Sequence, residues 1–337
     1  MRRSKSSGRC PSLQIVVCSF QPFVPALAFA PFGIPATVFW IYVCALVVFI
    51  IGLIKILGEL RQQHGVDKIM PFGRLFFAIP LAVFGSEHFT LTANIATLVP
   101  RWIPAATFWV YLVGLAFLAA ALSIAVLVQA RLAAALVGMT LLIFVFAMDL
   151  PAAVASPGNR FFWALALREL AFSGGALAFA MWPLSRRRTQ STQPTQSSPA
   201  LRTAALAAIP RFFVGIASLF YGVEHLLHPE FVPGVPLQKL TPECIPGRIV
   251  LSYLVGVILI LAGVCLLVNK KARTAATVLG LTILLTVLWI YLPMLLAAPT
   301  DLVALNFFFD TLLFCGAILL LANSIDKEPA VARISAE

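Results

Sequence analysis

A Glu-His pair occurs twice in this chain, at Glu87-His88 and at Glu224-His225, each time inside a strongly apolar segment. Residues 74–88 (RLFFAIPLAVFGSEH) align without a gap on residues 211–225 (RFFVGIASLFYGVEH). Six of the fifteen positions are identical: Arg74/Arg211, Phe76/Phe213, Ile79/Ile216, Gly85/Gly222, Glu87/Glu224 and His88/His225. Carboxylate and imidazole together can exchange protons, hold a polar head group or ligate a metal. An Asp, Lys or Arg at the centre of a membrane helix costs roughly 2.5–3.5 kcal/mol on insertion scales. A sequence that carries such a cost twice, at matching places, marks a polar site.

Further ionisable residues are expected at the same depth. Asp149 ends the fourth apolar span, with Tyr291 as its counterpart in the second half. Arg168 and Glu169 lie about two turns into the fifth span, and Asp310 takes the Arg168 position in the ninth. The first half thus offers Glu87, His88, Asp149, Arg168 and Glu169, and the second offers Glu224, His225, His228, Tyr291 and Asp310. Gly85 precedes His88, and Tyr221 precedes His225, by one turn on the same helix face. A glycine there lets a neighbouring helix or a flat ligand approach closely. Charges of both signs inside a membrane pair with one another. Arg168, the one cation expected deep in a span, is therefore expected to pair with Glu87, Asp149 or Glu169.

Three readings of the Glu-His pairs stay open. They can staple a helical unit, each His donating to a carboxylate on the next helix. They can line a quinone pocket, where His and carboxylate exchange protons with the head group. A haem or metal site is the weaker alternative: Glu224, His225 and His228 are compatible with ligation, but the first half has no counterpart of His228. His64, in a polar loop, is read as solvated. The sequence holds no phosphate-binding glycine loop, no nucleophile elbow and no H-E-x-x-H, which argues against an ATPase, a hydrolase or a zinc protease. The six cysteines form no C-x-x-C, so a dithiol centre or zinc finger is not indicated, and most read as small apolar fillers.

The elements that must position these residues follow from composition. The chain is 61% hydrophobic and 11% charged, too apolar for the surface of a soluble 337-residue protein. Runs of about 20 apolar residues, enough to cross a bilayer core of roughly 30 Å, recur along its length. The expectation is an all-α polytopic membrane protein with about nine transmembrane helices, at 37–57, 74–95, 105–128, 132–149, 161–182, 209–228, 249–268, 274–296 and 302–323. The net charge of +11 is no nucleic-acid signature, because the basic residues lie between spans rather than on one face.

The two halves are copies. Ile103-Pro104 matches Ile245-Pro246, residues 111–114 match 253–256, and Ala130-Arg131, Gly138, Thr140, Leu150-Pro151, Pro157 and Gly174 match Ala272-Arg273, Gly280, Thr282, Leu292-Pro293, Pro299 and Gly316. The offset is 137 before the first loop and 142 after it, so one five-residue insertion in the second copy accounts for the change. Each copy has four spans, an even number, so the copies point the same way and are related by an axis along the membrane normal. The organisation is a tail or signal-like segment (1–36), an extra helix and loop (37–73), repeat 1 (74–182), a Ser/Thr/Gln/Pro-rich linker (183–208), repeat 2 (209–323) and a polar tail (324–337).

With nine spans, fifteen Lys and Arg fall on one side, Arg74, Arg131, Arg211, Lys270, Lys271 and Arg273 among them, and eight on the other. The positive-inside rule puts the larger set and the C-terminus in the cytoplasm and the N-terminus outside. The Glu-His pairs, about thirteen residues or roughly 20 Å beyond Arg74 and Arg211, then lie towards the outer leaflet. The start MRRSKSSGR, an apolar stretch and Ala28-Phe29-Ala30 resemble a secretory signal. Pro31 after the cut and Pro22 and Pro25 within the stretch argue against cleavage, and for an interfacial segment or an over-long start.

The pattern R-x-F-x-x-I-x₅-G-x-E-H, a Pro-containing outer loop, a span opening near Y-L-V-G, a basic turn and a last helix ending in glycine and small residues resembles the DoxX family. Each copy is similar to one four-helix DoxX unit, over about 74–182 and 209–323. Residues 168–171 (RELA) with residues 174–177 (GGAL) are similar to the family's charged, glycine-bearing final helix; copy two has Asp310-Thr311 and a single Gly316 instead. The resemblance implies a quinone-linked redox membrane protein acting with partner subunits, because the family takes its name from a terminal quinol oxidase subunit that also appears in thiosulfate:quinone oxidoreductase. On that reading Glu87, His88, Glu224 and His225 bind or exchange protons with the head group, with Asp149, Arg168, Glu169, Tyr221, Tyr291 and Asp310 around it. A non-catalytic scaffold or small-solute carrier in the lipid bilayer is the alternative.

Overall fold

Inside a bilayer every backbone N–H and C=O must be satisfied within the chain, and apolar runs of this length do so as helices. A computed structural model describes residues 34–61, 65–190, 198–234, 239–243 and 245–325, with backbone only for residues 66, 182–190 and 198–207. The signal-like start, His64 and the C-terminal tail beyond residue 325 lie outside the described residues, as does 191–197 of the linker.

The chain is all-α. An apolar helix α1 (Ala36–Leu60) leads into copy one: α2 (Met70–Thr90), the short α3 (Thr92–Ala96), α4 (Ala106–Val126), α5 (Ala130–Phe144), α6 (Leu150–Ala155) and α7 (Arg160–Gln190). Copy two holds α8 (Ser198–Leu227), α9 (Arg248–Val268), α10 (Ala272–Thr286), α11 (Leu292–Ala297) and α12 (Leu302–Ser324). Among the described residues eight helical stretches are long and apolar enough to cross a membrane; α8 is the helix expected at 209–228. Helix runs further into the linker than composition suggests, α7 continuing to Gln190 and α8 starting at Ser198-Pro199, where a proline fits the first turn.

Backbone detail repeats with sequence. Positive φ recurs at the same offset of 142: Ala105 and Gly247, Leu127 and Asn269, Gln129 and Lys271. So does a π turn, at Val145–Asp149 and at Val287–Tyr291. Its cause is the proline that follows each. Pro151 and Pro293 have no N–H to give the carbonyl four residues back, and their rings crowd it. The ladder widens instead, with Leu150 N–H reaching Val145 O and Leu292 N–H reaching Val287 O.

Packing departs from the sequence expectation in one respect: the copies are not two closed four-helix units. The last helix of each copy packs on the first helix of the other, α7 on α8 and α12 on α2, and α7 and α12 also cross each other. Gly316 of α12 lies against the backbone of Phe76 and Phe77; its counterpart Gly174 of α7 lies against Pro210, Phe213 and Val214. On the α7–α12 crossing, Gly175 abuts Ala317, the residue 142 positions on. Equivalent residues touch only near a symmetry axis, so this crossing is where the pseudo-two-fold passes. Around it α2, α4, α5, α7, α8, α9, α10 and α12 pack in a ring, with α1 outside on α2 and α4. Burial follows this plan: 78% of the α2 window and 72% of the α12 window are buried, against 28% for α1.

A side chain at Gly175 would meet the Ala317 backbone, which cannot yield. Gly175→Leu is expected to lower stability by about 1–3 kcal/mol, the usual cost of overpacking. Gly58→Leu, where a Cβ meets open space, should leave the thermal unfolding midpoint in detergent within about a degree of wild type.

Candidate functional site

The seam between the copies is also where the ionisable residues gather. Arg168 on α7 donates from Nη1 to Asp310 Oδ2 on α12 at 2.5 Å, and its Nη2 lies 3.9 Å from Glu169 Oε1. Of the expected partners of Arg168, Glu169 is present at the edge of ion-pairing distance; the closer partner, Asp310, which holds the Arg168 position in the other copy, was not among those expected. Asp149, in the π turn, and Glu169 lie near enough to act on one another through space, and Asp149 Oδ2 and Glu169 Oε2 are both buried without a hydrogen-bond partner among the described residues.

Glu87 reaches the same cluster from α2. It is 7% exposed, and Asn306 of α12, with its amide nitrogen turned towards it, donates to Oε1 at 2.8 Å and Oε2 at 3.3 Å. Asp310 is near enough to act on Glu87 through space. Tyr221 and Tyr291 border the cluster, each spending its hydroxyl on backbone: Tyr221 donates to Ala164 O at 2.6 Å, Tyr291 to Pro233 O at 2.9 Å. Three carboxyl groups, those of Asp310, Glu169 and Asp149, thus lie about one guanidinium, with Glu87 near Asp310.

The acid and imidazole of each Glu-His pair face different neighbours, because successive helix residues project about 100° apart. While Glu87 faces α12, His88 faces α4: its Cβ packs on Gly114, its ring meets Phe117 edge-on at 5.7 Å, and Nδ1 lies 2.6 Å from Phe84 O. The glycines do what their spacing suggests. Gly85 packs on Gly114 and Gly222 on Gly256, bringing backbone to backbone at α2–α4 and α8–α9.

The second copy is closed where the first is not. Glu224 accepts from Arg160 Nη1 at 3.1 Å, and that guanidinium stacks 4.4 Å over Phe231. The lengthened loop folds back on itself, with Val232 N–H to Lys239 O at 2.8 Å and Thr241 N–H to Glu230 O at 2.9 Å, and it buries Val232, Pro233 and Gly234. Gly234 meets the wholly buried His225 ring at Nε2, its N–H at 2.9 Å and its carbonyl oxygen at 3.1 Å. Gly234 has φ +129°, and a Cβ there would meet the Tyr291 hydroxyl oxygen at 2.9 Å; only glycine closes this loop. His228 does not join His225: its Nδ1 lies 3.7 Å from Glu230 in the loop that follows α8. Among the described residues no three of His, Cys, Asp and Glu are placed to hold a metal ion.

Two participants were missed in the sequence, Asn306 and Arg160. Asn306 is an amide in an otherwise apolar stretch of α12, a signal that was there to read. Arg160 passes for one of the outer loop cations and shows its role only once α7 lies beside α8.

Residues 77–172, covering most of copy one with Glu87, His88, Asp149, Arg168 and Glu169, match a family model described as a domain of unknown function (DUF8561). No curated protein and no solved structure matches the chain.

Breaking a buried ion pair strands a charge and typically costs about 3–5 kcal/mol. Arg168→Leu and Asp310→Leu should each lower stability by about that amount, and the double variant Arg168→Leu/Asp310→Leu by clearly less than the sum. Because the two positions are equivalent, the exchange Arg168→Asp/Asp310→Arg should recover most of the loss. Unfolding midpoints of the four proteins in one detergent check this.

Proposed function

We propose that this chain is a membrane protein of the quinone-linked redox type that the DoxX resemblance implies, in which Glu87, His88 and the seam cluster exchange protons with a quinol head group. The surplus of acid on the seam carries this reading: Asp310, Glu169 and Asp149 lie about the one guanidinium of Arg168, Glu87 lies near Asp310, and oxygens of Asp149 and Glu169 are buried without a hydrogen-bond partner among the described residues. Carboxylate and histidine chains facing the interior are what proton-handling membrane proteins use.

Oxidation of a quinol to a quinone releases two protons and two electrons. His88 offers a lone pair at Nε2, because Nδ1 faces the Phe84 carbonyl and must carry the hydrogen. The Glu87 carboxylate, on the α12 side of α2 with Asn306 orienting it, is the second acceptor and takes the proton of the head group's other hydroxyl. Protons can pass from Glu87 towards Asp310, Glu169 and Asp149. The electrons leave to a redox partner subunit. In copy two the equivalent groups are occupied, Glu224 by Arg160 and His225 by Gly234, so each chain has one working site. Basic residues cluster at the end away from this site, where Arg131 reaches Ala180 O and Arg273 reaches Ile325 O and Asp67; this supports a cytoplasmic C-terminus in a bacterial inner membrane.

A second reading is a proton-coupled small-solute carrier. It is favoured by the position of the cluster on the seam between two parallel repeats, where such carriers place their substrate.

The lipid extract of detergent-purified protein should contain quinone. Glu87→Gln and His88→Ala should each lower the retained amount about tenfold or more, while Glu224→Gln should leave it unchanged. A wild-type extract without quinone overturns the redox reading. Proton flux driven by a solute gradient in liposomes, without quinone, would establish the carrier instead.

A further inference from the structure

The two copies differ in what covers the outer face of their first helix. In copy one α1 lies on α2 and α4, burying a single stripe: Val38, Ile41, Ala45, Val48, Gly52 and Ile56. Gly52 lets it sit directly on Leu75. The corresponding face of α8 is bare. Phe212 is 43% exposed where its counterpart Leu75 is 1%, Ile216 is 44% where Ile79 is 7%, and Val223 is 47% where Ser86 is 4%. The spacing of four and seven residues puts all three on one stripe.

Charge tells the same story. Arg74 donates from Nη2 to Glu59 Oε1 in the last turn of α1 at 2.9 Å. Its equivalent Arg211 lies at the same end of the bare face, 6.0 Å from the Phe212 ring, with Nε buried and without a hydrogen-bond partner among the described residues. Among the described residues the site for an α1-like helix is thus present twice and filled once. Residues 1–33 contain no Asp or Glu, so they cannot supply the missing carboxylate.

We propose that the outer groove of α8 and α9 docks a membrane-spanning helix of a partner subunit, one that presents a small residue to Phe212 and a carboxylate, in its last cytoplasmic turn, to Arg211. The groove of copy one already shows such a helix held by such a pair, which favours a helix over a lipid head group as the occupant of copy two.

The test uses the full chain in nanodiscs and, as probe, a synthetic peptide of residues 36–61, with a photo-crosslinking amino acid at Ile216 or, as control, at Leu285 on lipid-facing α10. Saturable labelling is expected at 216 and not at 285. Arg211→Gln in the protein, or Glu59→Gln in the peptide, should weaken it about fivefold. Arg211→Glu with a Glu59→Arg peptide should restore it. Val223→Trp, which fills the groove from a lipid-facing position, should abolish labelling even if Arg211→Gln fails to fold. Equal labelling at both positions, or indifference to charge, overturns the proposal. So does displacement of the peptide by an anionic phospholipid, which would make the groove a lipid site, or a chain-to-chain crosslink at 216, which would make it a dimer interface.

Discussion

A guanidinium in the interior of a membrane protein must have a carboxylate, and here its closest one is in place because two copies of one sequence have diverged. Arg168 and Asp310 occupy the same position, 142 residues apart, on helices that cross at the pseudo-two-fold. Two identical copies would place like charge against like at that spot, with several kcal/mol of repulsion in a medium of low dielectric. Unlike residues turn the same juxtaposition into a bond, and much of the surrounding order answers to it. Glycine and alanine at 175 and 317 let α7 and α12 approach, and the tyrosines at 221 and 291 lock neighbouring backbone.

Divergence then runs outward from the axis. Copy one keeps a carboxylate at 149 where copy two has Tyr291, and an amide at 306 faces Glu87 where a cation at 160 faces Glu224. The five extra residues of copy two bring Gly234 onto His225. Each change moves copy two towards neutral, satisfied packing and leaves the unsatisfied acids beside copy one. Duplication supplied two sets of polar residues, and the fold has made one of them architectural.

Much of this was legible beforehand. The apolar runs give the helices, the gap-free match of 74–88 with 211–225 gives the repeats, and ionisable residues within spans mark the cluster. The pairing of Arg168 with Asp310 was not legible, since it depends on which helix of which copy lies alongside, and periodicity within one helix carries no such information. The separation of Glu87 from His88 could have been foreseen, because adjacent residues on a helix cannot face the same neighbour. The π turns have a local cause in Pro151 and Pro293, but the sequence alone does not say whether a proline kinks a helix, ends it or widens it.

The exchange of closing helices between copies makes the molecule topologically indivisible. Either copy by itself would present two long apolar faces, one on its first helix and one on its last, each shaped for a surface that only its sibling has. The packing of α7 on α8 and of α12 on α2 joins the copies without regard to the peptide connection at 183–208. Nature could cut the polypeptide there, or a cell could translate the halves from separate messages, and the same eight-helix ring could still assemble in the membrane from two unequal chains.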